Sequence, residues 1–286
     1  MNLAKALSSI AFALVVFNAS AQKDTTINKI DTSSKKRPVS YFKVGVDYLS
    51  DNVYNGRKDS VVVPYITPTF GYYDKSGLFI DVSVAFLANK GKVDLTTIDA
   101  GYDYGIGDQI TGELSATKYF YSSSSTSVQS QTKFSFDGSI IYDPGFLAFS
   151  GGLSVLTSSE TDFTTNFSIA HNFTFGEDSS LWTISPTIGS NQGTQKSYAA
   201  YKKKRRLQGG GAGSAIDVQN SNNFALLDYE FSLPISYDAK KWGISLTPTY
   251  ALPQHPVTLT GPLGNVIATE NLSNVFYVEL GVYFKF

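Results

Sequence analysis

The stretch Asn274–Phe286 reads Asn-Val-Phe-Tyr-Val-Glu-Leu-Gly-Val-Tyr-Phe-Lys-Phe, and its alternation limits the fold more than any other feature. Phe276, Val278, Leu280, Val282, Phe284 and Phe286 share one face. Tyr277, Glu279, Gly281, Tyr283 and Lys285 share the other. A period of two is a β-strand with one apolar and one polar side. Chain ends fray unless they are tied down, so an apolar strand carried to the last residue implies pairing on both sides. A closed barrel supplies that pairing by joining its last strand to its first.

The same alternation recurs along the chain. It predicts strands over Ser40–Ser50, Val61–Tyr73, Leu78–Leu87, Val93–Ile106, Gln109–Tyr121, Gln131–Tyr142, Phe146–Thr157, Thr161–Phe175, Leu181–Gly189, Phe224–Tyr237 and Trp242–Leu252, besides the terminal one. Each approximates the ~9–11 residues that a tilted strand needs to cross a bilayer. The links alternate in length. Asp74–Gly77, Gly107-Asp108, Asp143-Pro144-Gly145, Gly176–Ser180 and Asp238–Lys241 carry turn chemistry. Asp51–Ser60, Ser122–Ser130, Ser190–Asn223 and Pro253–Leu272 are longer. Short turns at one end and long loops at the other mark an all-β, single up-and-down antiparallel transmembrane barrel of about 12 strands, with both termini on the turn side. Pro64, Pro68, Pro186, Pro234 and Pro248 fall inside the expected strands, where each removes a ladder donor and implies local distortion.

Charged residues are 16% and aromatics 14%, as suits strands with one face in lipid and one in water. A net charge of −1 argues for no particular partner. The chain has no Cys and hence no disulfide or thiol chemistry. Lys5, an apolar run over 6–17 and Ala19-Ser20-Ala21 read as a signal peptide over residues 1–21. The run is too short for a helix across ~30 Å of hydrocarbon. Residues 22–39 lack periodicity and read as a disordered tail, or as a plug entering the pore; 40–286 is the barrel.

The ending resembles the C-terminal strand of bacterial outer-membrane β-barrels, which finish on Phe. The resemblance implies the Gram-negative outer membrane, contact with its lipids and lipopolysaccharide, and Phe286 as the signal read by the barrel-assembly machinery. Short turns are then periplasmic and loops extracellular. Aromatic residues beside the turn side, among them Tyr72, Tyr73, Tyr102, Tyr104, Tyr142, Phe146, Trp182 and Trp242, suit the membrane interface. A second resemblance covers roughly residues 44–121. Val44–Arg57, with Tyr54-Asn55-Gly56-Arg57 at its end, is similar to the opening of the TorF-like porins, as are Tyr73–Phe79 and Ile98–Tyr102. It implies a channel and supplies no site residues.

The inward face is mainly acidic. Asp47, Asp81, Asp99, Asp103, Glu113, Asp137, Asp228, Glu230 and Glu279 point to the lumen in this register, opposed by Lys43, Lys133 and Lys285. Acids outnumber bases, so a water-filled, mildly cation-preferring pore is the first reading; a plugged interior with paired carboxylates is the second. Lys202, Lys203, Lys204, Arg205 and Arg206 precede Gly209–Gly211 on the longest loop. The export signal argues against a nucleic-acid role. Facing an anionic leaflet they suit lipid phosphates or anionic solutes, or form a solvated mobile loop.

Enzymatic readings find little support. The outer-membrane phospholipase family places its Ser two residues after a His. After His171 that position is Phe173. His171 falls on the lipid face, His255 stands in a loop without a visible partner, and neither has metal-ligand spacing. No cofactor fingerprint appears. The reading is a porin-like passive channel for small solutes, not an enzyme, with oligomeric state open. Its alternatives are a non-conducting structural or surface-ligand-binding barrel and, remotely, a lipid hydrolase. Phe286→Ala should cost the finished barrel only about 1–2 kcal/mol, since the ring contacts lipid. Heat-modifiable gel mobility should show a much larger loss of assembled barrel; normal levels would mean that Phe286 is no assembly signal.

Overall fold

The computed structural model describes residues 39–58, 62–125, 127, 132–177, 179–208, 217–261 and 263–286, with backbone alone at 203–208. The signal-peptide region and residues 22–38 of the tail lie outside the described residues. Twelve antiparallel strands close into one barrel. They are β1 (Tyr41–Leu49), β2 (Tyr65–Tyr73), β3 (Leu78–Leu87), β4 (Lys92–Ile106), β5 (Ile110–Tyr121), β6 (Phe134–Tyr142) and β7 (Ala148–Thr157). There follow β8 (Thr161–Ala170 and Phe173–Glu177), β9 (Ser180–Ile184 and Thr187–Gly193), β10 (Ala225–Ser232 and Ile235–Ala239), β11 (Trp242–Pro253) and β12 (Val275–Lys285).

Closure is made by the terminal strand. β12 pairs with β11 from Trp242↔Phe284 to Ala251↔Val275 and with β1 from Lys43↔Lys285 to Leu49↔Glu279. Phe286 exchanges both backbone bonds with Phe42, at 2.9 and 3.1 Å. No edge remains along this seam, as lipid requires of a spanning sheet. The alternation sorts the faces: Phe42, Val44, Val46 and Tyr48 of β1 are exposed outside, whereas Gly45 and Leu49 are buried inside. An exterior of exposed Phe, Ile, Leu and Val is a surface for hydrocarbon, not for water. Near the turn side Phe42, Tyr72, Tyr102, Tyr142, Phe146, Phe173, Trp182 and Trp242 form an exposed aromatic belt. Trp182, Tyr237 and Trp242 meet in sequence as tilted rings, with centroids 5.0 and 5.1 Å apart. Tyr73, expected in that belt, instead lies buried inside, between Tyr41 and Phe79.

The prolines distort the wall in one place. Breaks at 171–172, 185–186 and 233–234 interrupt β8, β9 and β10 side by side, next to Pro248 of β11. The chain bridges this row through proline carbonyls. His171 N donates to Pro186 O (3.3 Å), Ser185 N to Pro234 O (2.9 Å) and Leu233 N to Pro248 O (3.1 Å). Proline lacks a donor but keeps an acceptor, so each strand pair retains one bond at the break. Pro68 stays within β2 opposite Val46. Pro64 stands just ahead of β2, not inside a strand, and accepts from Ala88 N at 2.9 Å.

Between β9 and β10 the chain forms a helix, α1 (Lys196–Gln208), so the basic cluster Lys202–Arg206 is helical and not an irregular loop. The cluster falls in the C-terminal half of α1, where cations complement the helix dipole. Tyr198 and Tyr201, one turn apart, bury one face of α1 against Tyr54, Leu156 and Val257. The first turn carries no acidic residue of its own. Fully buried Asp162 of β8 replaces it, accepting from Lys196 N (2.8 Å), Ser197 N (2.7 Å) and Thr194 Oγ1 (2.6 Å). A strand residue thus caps the helix and fixes it over the barrel mouth. Asp162→Ala should weaken that attachment by about 2 kcal/mol. Trypsin should then nick residues 202–206 several-fold faster while heat-modifiable mobility of the barrel is unchanged; equal nicking rates would show that Asp162 does not hold the helix.

Candidate functional site

Three layers of charge follow one another inside the barrel. At the turn end, Lys43 and Lys285 lie opposite each other across β1 and β12. Lys43 Nζ stands 5.4 and 5.5 Å from the Tyr73 and Tyr283 ring centroids, and Lys285 Nζ 5.2 and 5.4 Å from those of Tyr41 and Tyr283. Aromatic faces stabilise ammonium groups at such distances. Tyr283 also donates its hydroxyl to Asp238.

The middle layer is acidic. Two acid pairs face directly across neighbouring strands, Asp81 with Asp99 and Asp103 with Glu113. Hydroxyl donors hold several carboxylates. Tyr73 donates to Asp81 (2.6 Å), Thr117 to Asp99 (2.8 Å), Ser135 to Asp137 (2.7 Å) and Tyr277 to Glu230 (3.2 Å). Asp81 reaches Tyr73 by passing over Gly71, where a Cβ would collide with its Oδ1. Asp228 of β10 accepts from Asn191 Nδ2 of β9 at 2.6 Å. It keeps the inward parity of Glu230 and Ser232, and the register of the β9–β10 ladder shifts only beyond it, between Asn191 and Gln192, leaving Leu227 as an extra residue. Asp81, Asp99, Glu113, Asp228 and Glu279 are buried; Asp47, Asp103, Asp137 and Glu230 are half-buried, with room for water beside them. Lys133, expected to oppose the acids from the lumen, is exposed ahead of β6 at its loop end.

Folded loops pack against one another and the inner wall at the loop-side mouth. Leu49, Val53, Val63, Tyr65, Leu95 and Tyr119 belong to one buried apolar cluster that brings the first loop onto the inner wall. Above it, Val53–Tyr54 and Arg57–Lys58 pair as a tight hairpin. Asn55 (φ 47°) and Gly56 (φ 72°) both take the left-handed conformation, as a two-residue Asn-Gly turn requires. That turn delivers Arg57, 3% exposed, into the mouth. Arg57 donates to the carbonyls of Asn55 (2.9 Å), Gln254 (2.5 Å) and His255 (2.9 Å), and through Nε to Glu270 Oε2 (3.3 Å). Glu270 also accepts the Tyr198 hydroxyl and lies 4.0 Å from Lys202 Nζ. One guanidinium thus ties the first loop, α1 and the last loop together. Burial, followed by the Glu270 charge, raises the Tyr198 hydroxyl well above its ordinary pKa.

Sequence reasoning passed over Arg57, Asp162, Tyr198 and Glu270. Asn55-Gly56 between Val53-Tyr54 and Arg57-Lys58 is a hairpin signal that could have placed the first of them. The His255 carbonyl accepts also from Gln195 Nε2 at 3.3 Å, while its side-chain Nε2 has no hydrogen-bond partner among the described residues. His171 sits in the outer aromatic belt between Phe146 and Phe173, and its Nδ1 is 2.5 Å from the Phe146 carbonyl. The side chains of Lys203, Lys204, Arg205 and Arg206 lie outside the described residues.

No family model matches the chain, and no curated protein matches it. Solved structures that resemble it include a KdgM porin, with TM-score 0.47, 11% identity and 85% of this chain against 99% of that one. LpxR from Salmonella typhimurium has TM-score 0.47 at 9% identity, over 85% and 100% of the two chains. The COG4313 outer membrane channel from Pseudomonas putida F1 has TM-score 0.43 at 10% identity, over 88% and 98%. Scores below 0.5 carry no argument about activity, and the barrel stands on its own strand pairing.

The Tyr198 shift has a pH consequence. A raised pKa in the folded state means that the hydroxyl's contribution is whole below the ordinary value of 10.0 and declines as pH rises beyond it. Trypsin should therefore open the loop cluster faster at pH 10.5 than at pH 8.5, after correction for its own rate on an unstructured peptide. Tyr198→Phe should remove the difference, and a difference that survives in Tyr198→Phe would place the titrating group elsewhere.

Proposed function

We propose that the chain is an outer-membrane channel for small solutes, with mild cation preference, whose loop-side mouth is closed in the conformation described. Export would use a cleaved signal peptide over residues 1–21, leaving 22–39 in the periplasm, with Phe286 as the assembly signal. The reading agrees with the likeness of residues 44–121 to the TorF-like porins. The observation that carries it is the partial exposure of Asp47, Asp137 and Glu230 on the inner face. Side chains there can meet only lumen water. Carboxylates beside water raise the local cation concentration and repel anions. Lipid phosphates or lipopolysaccharide would meet the Lys202–Arg206 run from the outer leaflet.

Closure of the mouth favours a second reading, a barrel that does not conduct and binds a surface ligand through α1 and its neighbouring loops. Planar-bilayer recording of refolded 22–286, beside a variant lacking 195–213, separates the two. A gated channel gives conductance steps that grow in number or size in the shortened variant, with cations the more permeant ions. Silence of both proteins at every voltage would contradict the channel and leave the surface-binding reading.

A further inference from the structure

The lipid face of the barrel is not uniform. Within β10, β11, β12, β1, β2 and β3 its loop-side half carries only apolar residues and tyrosine. Over β4 to β9 polar side chains enter the same half. Thr96 of β4 lies opposite exposed Phe120 of β5. Lys118 of β5, Thr157 of β7 and Thr161 of β8 share one row with exposed Phe134. Four residues along β8 from Thr161, Thr165 stands opposite Gln192 of β9.

Lys118 points outward by parity with exposed Leu114 and Phe120. Its Nζ lies 3.6 Å from the Phe134 ring centroid and 5.5 Å from that of Phe120. The side chain therefore runs along the wall, with its ammonium against aromatic faces. Lys118 stands eight residues past Ile110, the partner of Tyr142 in the turn-side belt. A tilted strand climbs about 20 Å over that length. Gln192 is ten residues past Trp182 of the same belt, or about 25 Å higher. The apolar band of such a barrel is ~25 Å tall, and its loop side meets the outer leaflet. These side chains thus stand where hydrocarbon gives way to headgroups.

The polar groups are joined. Thr165 Oγ1 donates to Gln192 Oε1 at 3.0 Å, and Gln192 Nε2 donates to Ser190 Oγ at 2.8 Å. Ser190 shares the outward parity of Gln192 and lies opposite exposed Phe167 and Tyr229. An amide has two N–H groups and a hydroxyl two lone pairs, so this chain can still donate and accept outward. Three strand spacings separate Lys118 from Thr161, about 14 Å, and four residues separate Thr161 from Thr165, about 13 Å. Exposed Leu114, Phe136 and Leu153 lie nearer the middle of the same wall, a surface for acyl chains.

Charge decides what covers this area. Lys118 calls for an anion, and the loop-side half of the lipid face carries no carboxylate within the described strands. A second copy packed wall to wall therefore has no counter-charge to offer. A lipid phosphate supplies one. Joined hydroxyl and amide groups suit a headgroup rich in sugar and amide oxygen better than a simple phospholipid. We propose that the outer wall of β5 to β9 binds a phosphorylated glycolipid of the outer leaflet. Its phosphate meets Lys118, its sugar and amide oxygens meet Thr165, Ser190 and Gln192, and its chains cover Phe136 and Leu153. The site is separate from the Lys202–Arg206 run and does not depend on whether the barrel conducts.

Native mass spectrometry of refolded 22–286 in detergent tests the site, with diphosphoryl lipid A as probe and dephosphorylated lipid A and phosphatidylglycerol as controls. The variants are Lys118→Gln, Gln192→Leu, Thr165→Val and the chain lacking 195–213, each shown to be folded by heat-modifiable mobility. Wild type should retain one diphosphoryl lipid A, at least tenfold more tightly than either control. Lys118→Gln should weaken that binding about tenfold, the order of one charge-assisted hydrogen bond. Gln192→Leu or Thr165→Val should weaken it about threefold and leave phosphatidylglycerol unaffected. Removal of 195–213 should change it less than twofold. Phosphatidylglycerol held as tightly as lipid A would overturn the glycolipid and leave a site for lipid phosphate alone. Undiminished lipid A binding in folded Lys118→Gln, or its loss on removal of 195–213, would take the phosphate off this wall and overturn the proposal.

Discussion

An amide in hydrocarbon has no partner except another amide, and the architecture follows from that constraint. Each spanning strand must be paired along both edges, which a sheet achieves only by closing. Here the closure depends on the last eleven residues or so finding β1 and β11 together. The seam is continuous from Leu49↔Glu279 to the Phe42–Phe286 exchange. The same constraint explains how the proline row is tolerated. Three breaks and Pro248 lie side by side, and their carbonyls receive the N–H groups that the neighbours would otherwise leave unpaired.

Closure by backbone leaves the interior to side chains. The inner wall is acidic in the middle, with Lys43 and Lys285 against tyrosine rings at the turn end and Arg57 beside Glu270 in the loop cluster. Buried carboxylates are kept by hydroxyl and amide donors more than by ion pairs, as at Asp99 with Thr117 and Asp228 with Asn191. The loop side is built to be shut. Val53 and Val63 pack inward, Asp162 caps α1, and Arg57 joins three loops through donors that reach carbonyls on two of them.

Much of the fold was legible in the sequence because a two-residue period survives any tilt or shear. Phe276 to Phe286 alternates whatever its neighbours do, and twelve segments of that kind can hardly close otherwise. The lumen face of Asp81 or Glu279 followed from the same parity. Tertiary facts were not legible. Parity with Thr67, Thr69 and Gly71 turns Tyr73 inward, but nothing local shows that it holds Asp81, because that bond crosses from β2 to β3. The run Lys202–Arg206 hid a helix, since its charge reads as solvated surface while the signal for docking, Tyr198 and Tyr201 one turn apart, is only two residues long. Arg57 and Glu270 are 213 positions apart. No pattern in a single sequence connects them.

The central claim is that water enters the barrel from the turn side and stops beneath the loop cluster. The absence of native Cys makes a direct measurement simple. Asp137→Cys and Asp228→Cys would each be exposed, in the folded barrel, to a small charged thiol reagent. The account predicts rapid modification at 137 and protection at 228, with the protection lost when Arg57→Ala frees the loops. Equal rates at the two positions with Arg57 intact, or an inert thiol at 137, would contradict it.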